Sequence, residues 1–236
     1  MAGEFAIVER LSTSGERWDL HCAMPPGVRS LLDVGCGTGN GFAGLRERGV
    51  RVVGVDHDAG VVAEAQRVLD EARVLDIETA AWPSEFSGAF DVVAFADSLE
   101  HLRDPWAILR SARGLLAPGG VVVASVPNVR QVRVVAKLAL GRWTYVDGPG
   151  TMSNSHLRFF TERTARDLFA IAGYEDVRCH YPRRTFHLRR PERTLNALTG
   201  GVLAGLLAGL LYNSLTVSGR PAPPGARPAR RRSRSG

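Results

Sequence analysis

Several things are scarce in this 236-residue chain, and each scarcity excludes something. There are three cysteines, Cys22, Cys36 and Cys179, with no paired spacing. That rules out a disulfide scaffold and a thiolate metal cluster, and it suits a reducing compartment. The opening "MAGEFAIVERLSTSGERWD" has no apolar signal core, so export is not indicated and a cytoplasmic location is expected. No internal repeat is visible. Acidic residues are missing from Gly219 to Gly236, where six arginines account for the whole net charge of +6. The basic character therefore belongs to a Pro/Ala/Gly/Arg tail, residues 219–236, expected to be disordered. The body is neutral, so nucleic acid is not an expected partner.

Charge is also missing from residues 194 to 219, which include "LTGGVLAGLLAGLLY". Asn196, Thr199, Asn213, Ser214 and Thr216 interrupt the stretch, and its fully apolar part is too short to span a bilayer. A buried helix followed by an edge strand, "NSLTVSG", is predicted. The alternative is a helix facing lipid or a second copy of the chain. "GVLAG" allows close helix approach, and Arg183, Arg184, Arg189, Arg190 and Arg193 precede it. A homodimer and a peripheral membrane contact through 183–217 thus stay open.

What is present is an alternation of strands and helices. "SLLDV", "VRVVGVD", "ARVLD", "FDVVAFAD" and "VVVASVP" are nearly continuous apolar runs separated by helical stretches. Runs without inside-outside alternation are buried on both faces, as in a parallel sheet covered by helices. The prediction is an α/β, doubly wound, mostly parallel seven-stranded sheet with helices on both faces. A helix is expected from about Arg130 to Leu140. Another follows Thr161 as cap, and "EDVRCHYP" reads as a sixth strand. One domain over 1–218 is expected, with a cofactor-binding core at 28–127 and acceptor-side elements at 128–215.

Ligands in this class sit outside the C-terminal strand ends. There the first strand meets "LLDVGCGTGN", with Asp33 before Gly35, Cys36, Gly37 and Gly39. Side-chain-free residues let a backbone pass close under a ligand. The spacing is not the dinucleotide G-x-G-x-x-G, because no glycine stands three after Gly37. Asp33 also suits a cationic or zwitterionic ligand better than a pyrophosphate. A nicotinamide-linked oxidoreductase is disfavoured on both counts. Asp56, 21 residues after Gly35, can accept from a ribose diol. Asp76 with Ile77, and Asp97 with Ser98, follow the third and fourth strands, so four successive strands end in aspartates.

In order along the chain, "LLDVGCGTG", "VVGVD", "LDIE", "FDVVAFADSLEHLRDPWAIL", "LLAPGGVVVASVPNV", "GRWTY", "HLRFFT" and "AGY" resemble the class I S-adenosylmethionine-dependent methyltransferases over roughly residues 28 to 180. "SVPNV" and "HLRFFT" resemble a bacterial small-molecule subgroup of polysaccharide, secondary-metabolite and quinone pathways. The resemblance implies a cofactor, S-adenosyl-L-methionine. Asp33 and the Gly35–Gly39 backbone would hold its methionine portion. Asp56, with His57 beside it, would take the ribose hydroxyls. Asp76 and Ile77 would frame adenine, and Asp97 and Ser98 would line the floor near the sulfonium.

The implied reaction is in-line methyl transfer to a hydroxyl or amine of a small molecule, such as a sugar, a lipid-linked acceptor or a secondary metabolite. His101 and His156 are the candidate bases, since histidine titrates near neutrality. Some quinone-pathway relatives are thought to bind a divalent ion with an acid-x-x-Glu-His pattern, and "DSLEH", Asp97 to His101, has that spacing. Whether a metal is used stays open. Where the subgroup carries "LDRTH" this chain reads "MSNSH", which puts the usual acceptor in doubt. Trp143 and Tyr145 could stack on an acceptor or serve as lid packing. A nucleic-acid or protein methyltransferase using the basic tail is the alternative. It lacks the Asn/Asp-Pro-Pro-aromatic pattern, with "SVPNV" in its place.

Overall fold

The computed structural model describes residues 17–148, 150–180, 209–210, 212–223 and 225. Five strands run parallel: β1 (Ser30–Val34), β2 (Arg51–Asp56), β3 (Glu71–Val74), β4 (Phe90–Ala96) and β5 (Leu116–Pro127). β6 (Tyr174–His180) and β7 (Ser214–Pro221) complete a seven-stranded sheet of order β3-β2-β1-β4-β5-β7-β6. β7 lies antiparallel to both neighbours. The doubly wound, mostly parallel architecture read from the sequence is the one found.

The apolar runs explain the layering. Successive strand residues point to opposite faces. Leu32, Val53, Val93 and Val122 enter one buried cluster, with Leu109 of α4 (Pro105–Ala112) and Phe169 of α6 (Glu162–Ile171). Leu31, Val52, Val92 and Val123 enter the other. That second cluster lies against α1 (Trp18–His21), α2 (Ala43–Arg46) and α3 (Ala59–Ala65) through Leu20, Leu45 and Val62. Burial on both faces is what a run without alternation requires.

Helix starts follow local chemistry. Asp58 accepts from the backbone N–H of Gly60 at 2.6 Å to start α3. Asp104 accepts from Ala107 N at 2.9 Å ahead of Pro105 in α4. Thr161 and Thr164 form a reciprocal capping box at α6. Gln131 accepts from Arg133 N and Val134 N and so fixes the start of α5 (Val132–Ala139). α5 buries no residue, so its orientation depends on that cap rather than on a core contact.

Three boundaries differ from the sequence reading. "NSLTVSG" is not an edge strand. β7 pairs with β5 and β6 at once, and Leu215, Thr216 and Val217 are buried; β6 takes the edge. The tail does not begin at Gly219. β7 runs to Pro221, and Ala222 N donates to Gly173 O at 2.9 Å, because these backbone groups still have β6 and its preceding turn to pair with. Asp33 lies one residue inside β1 rather than at its end. The remainder of the tail and most of 183–217 lie outside the described residues. Among the described residues, no helix is long and apolar enough to cross a membrane.

Candidate active site

The C-terminal edge of the parallel strands opens into two cavities. The first, of 430 Å3, is lined by Gly35, Val55, Asp56, His57, Leu75, Asp76, Ile77, Glu78, Asp97, Ser98, His101 and Leu102. It gathers eight of the predicted site residues. Asp33, Cys36, Gly37 and Gly39 are not among its lining residues.

The glycine bend is held against its neighbours tightly enough to explain its composition. Gly35 has φ +77°, and a Cβ there would lie 2.9 Å from Ser98 Cβ. Gly39 has φ +81°, and a Cβ there would meet Val68 at 2.8 Å. Cys36 is packed below the bend, and burial pushes its thiol up to about 12, so it is inert. Gly37 N donates to Asp56 Oδ2 at 2.9 Å, and Asp58 N donates to Oδ1 at 3.1 Å. Asp56 is thereby aimed by backbone on both oxygens, with lone pairs left toward the cavity. Asp76 is similarly fixed: Glu78 N and Thr79 Oγ1 donate to it, and these bonds hold its carboxyl below the usual range.

Asp33 is different. Its carboxyl is buried, and its Oδ1 has no partner among the described residues. Burial pushes it up to about 7, with Asp56 adding to the rise and Arg17 opposing it. Ser98 Oγ is also buried without a partner. An orphaned hydroxyl on the cavity wall, with an orphaned buried carboxyl two residues before Gly35, is what a zwitterionic ligand would satisfy. The residues present therefore fit the methionine end of S-adenosylmethionine.

The second cavity, of 730 Å3, shares Asp97 and His101 with the first. Its other walls include Glu100, Pro127, Arg133, Lys137, His156 and Asn213. Asp97 sits at the junction with φ +51°, a left-handed conformation unusual for a residue with a side chain. Hydrogen bonds hold it there. Arg17 Nη1 donates to its Oδ2 at 2.9 Å. Ser125 Oγ donates to its Oδ1 at 2.7 Å and accepts from its backbone N at 2.9 Å. Arg17 also donates to Ser125 Oγ at 2.6 Å, to Asp19, and through its backbone to Gly41 O. It ties the N-terminal segment to both the glycine bend and the cavity junction.

His101 and His156 are 55 positions apart in sequence, and the backbone brings them together. Leu157 N and Arg158 N both donate to Glu100 O, at 2.8 and 3.0 Å. The imidazoles then meet edge to face, with centroids 4.9 Å apart. His101 Nδ1 faces Ser155 O at 3.1 Å, and His156 Nδ1 faces Thr151 O at 3.2 Å. A carbonyl only accepts, so each Nδ1 carries the hydrogen. In the neutral rings both Nε2 lone pairs are left free. Burial lowers the pKa of His156, which keeps it neutral.

Beside them lies Glu100, fully buried, with neither carboxylate oxygen hydrogen-bonded among the described residues. Burial, then the nearby Asp97, pushes it up to about 8. His156 Nε2 stands 4.0 Å from Glu100 Oε1. The ligand atoms of Glu100, His101 and His156 all lie within 4.8 Å of one another. Two imidazoles oriented by backbone carbonyls plus one carboxylate is a set that fits a divalent cation. Asp97, first in the "DSLEH" spacing, is not in that group, because Arg17 and Ser125 occupy its carboxylate.

Some candidates stand apart. Trp143 packs edge-on to Phe159 at 5.5 Å, and Tyr145 is exposed. Neither lines the second cavity, although Thr144 and Val146 do. Arg158 turns to the backbone carbonyls of Leu157 and Arg103. Sequence reasoning did not single out Ser125, Arg133 or Lys137, and it treated Glu100 only as part of a spacing. The signal for Glu100 was an acid set between Leu99 and Leu102.

Comparison with known proteins fits this geometry. A methyltransferase domain family matches residues 7–178. The chain belongs to that family. S-adenosylmethionine is the cofactor of this family and fold. The ubiquinone biosynthesis O-methyltransferase of Psychrobacter cryohalolentis is 39% identical over 106 residues, covering 42% of this chain and 41% of the relative. The enzyme of the same name from Ruegeria pomeroyi is 32% identical over 163 residues, covering 67% and 65%. The chain thus spans about two fifths of the Psychrobacter relative's length. A SAM-dependent methyltransferase from Archaeoglobus fulgidus shares the fold, with a TM-score of 0.59 at 17% identity over 86% of this chain and 90% of that one.

Proposed function

We propose that the chain transfers a methyl group from S-adenosylmethionine to a hydroxyl of a small molecule. The observation carrying this reading is the meeting of the two cavities at Asp97 and His101. A donor in the first cavity and an acceptor in the second would face each other at that junction. The bound donor supplies an electrophilic methyl, and the chain's task is alignment and proton removal. Asp33 receives the donor's ammonium, Asp56 its ribose hydroxyls, and Asp76 with Ile77 its adenine. Asp97 and Ser98 form the floor, with Asp97 held by Arg17. His156, neutral with a free Nε2, takes the acceptor's proton. Glu100, 4.0 Å away, stabilises the imidazolium that results once its own carboxyl has ionised, toward and above pH 8.

A second reading is favoured by the same cluster. Glu100, His101 and His156 would hold a divalent cation, which would supply Lewis-acid polarisation of the acceptor hydroxyl. One experiment separates the two. Calorimetry with S-adenosylmethionine is followed by methyl-transfer assays with and without a chelator, on the wild type and on His156→Ala. Donor binding at micromolar affinity is expected, and absence of binding refutes the proposal. His156→Ala should lower kcat by about 10²-fold, the ordinary contribution of a general base. Loss in chelator with recovery on adding Mg²⁺ or Zn²⁺ selects the metal reading, while indifference selects the base.

A further inference from the structure

The second cavity carries two cations that the methyl-transfer reading above does not use. Its end at the junction is acidic, with Asp97 and Glu100. α5 contributes Arg133, Val134 and Lys137 to its lining. Arg133 and Lys137 stand one helical turn apart on the same face. Among the described residues neither side chain has an ion-pair or hydrogen-bond partner. Sequence supplies no acid close by: from Asn128 to Val146 there are four cations and no carboxylate. The next acid, Asp147, already accepts from Asn154 Nδ2.

Like charges at this spacing repel, and an unpaired couple is mildly destabilising. Here the Gln131 cap locks the helix start so that both cations border the same cavity. An anion bridging them would relieve the repulsion and form charge-assisted hydrogen bonds. Resting on the methyltransferase reading above, we infer that the acceptor carries an oxyanionic group, a carboxylate or a phosphate. Arg133 and Lys137 grip that group while the acceptor hydroxyl lies against His101 and His156. The two ends of the cavity would then orient the acceptor as a dipole: anion toward α5, nucleophile toward the donor methyl. Arg133 and Lys137 become specificity-determining residues without touching the reacting atoms.

The test uses the full chain saturated with S-adenosylhomocysteine and titrated with inorganic phosphate, benzoate and neutral benzamide, followed by calorimetry or amide NMR shifts. Phosphate, benzoate or both should bind saturably, and benzamide at least about tenfold more weakly. The Arg133→Gln/Lys137→Gln double variant should lose about tenfold or more of the anion affinity and leave S-adenosylhomocysteine binding unchanged. Tighter phosphate indicates a phosphorylated acceptor, and tighter benzoate a carboxylic one. The inference is overturned if neither anion binds the wild type, if benzamide binds as well as benzoate, or if the double variant keeps the anion affinity. Failure to bind S-adenosylhomocysteine would instead sink the methyltransferase reading, and the anion titrations would still report on the cavity.

Discussion

In the donor cavity, the polar wall residues follow the ends of β1 to β4 closely: Gly35, Asp56 and His57, Asp76 to Glu78, and Asp97 with Ser98. The acceptor cavity draws on pieces with no such common origin. It takes a single turn at Leu99–His101, the end of β5, one face of α5, the loop through His156, and Asn213 and Ser214 at the start of β7. β7 is antiparallel, so its first residues reach the same sheet edge as the last residues of the parallel strands. The two halves also differ in electrostatics. The donor half is acidic and its carboxylates are mostly aimed by backbone N–H groups. The acceptor half carries both signs, with two cations that have no partner among the described residues and a buried acid. Each half nevertheless contains one buried carboxyl with unpartnered oxygen, Asp33 and Glu100. These two groups provide the sharpest way to test whether the halves act separately.

The largest expected effect is on donor affinity. Asp33→Asn removes the buried charge proposed to meet the donor ammonium and should weaken S-adenosylmethionine binding by about 10–100-fold, the range of a charged hydrogen bond. Glu100→Gln, in the other half, should leave donor affinity within about twofold. Calorimetry on both variants decides it. If Glu100→Gln weakens the donor as much as Asp33→Asn does, the division into halves is broken.

An intermediate effect follows from pH. Asp33 is pushed up to about 7 by burial, so in the free protein its carboxyl is largely protonated below that value. A cationic ligand needs the carboxylate, and binding must then expel the proton. Donor affinity should fall about tenfold for each pH unit below 7, over a range where the donor's α-ammonium stays charged. Asp33→Asn should show a flat profile there. A wild-type profile equally flat between about pH 5.5 and 7 would remove Asp33 from the ammonium site.

How legible the two halves were in the sequence has the same physical root as their construction. A parallel strand buried on both faces announces itself as an apolar run, and its C-terminal end fixes where the next side chains point. Asp56, Asp76 and Asp97 could therefore be placed from spacing alone, and all line the cavity. The acceptor half depends on long-range backbone bonds such as Leu157 N to Glu100 O, which no local pattern encodes. His101 and His156 were readable as titrating residues, but their adjacency was not. Arg133 and Lys137 fell inside the helix expected from about Arg130 to Leu140, and nothing local set them apart. β7 was misread as an edge because a strand inserted between β5 and β6 looks, in sequence, like any short strand at the end of a chain.

The smallest effect concerns stability, and it asks whether Glu100 is retained for structure or for chemistry. Its carboxyl is pushed from an ordinary 4.5 up to about 8. Between those values the unfolded chain ionises this group and the folded chain does not. Ionisation then favours unfolding, so the contribution is fully present below about 4.5 and is lost as pH rises toward 8. Glu100→Gln cannot ionise and escapes that loss. Thermal unfolding at pH 8 should therefore place the variant above the wild type by about 2–4 °C for each kcal/mol recovered, with the gap closing near pH 4. Methyl transfer by the same variant should fall at and above pH 8, where the wild-type carboxyl ionises and His156 would have lost its carboxylate neighbour. Greater stability together with lower turnover is the signature of a group kept at a thermodynamic cost for function. A variant less stable at pH 8 would show instead that the buried carboxyl supports the fold, and the His156–Glu100 pair would lose its assigned role.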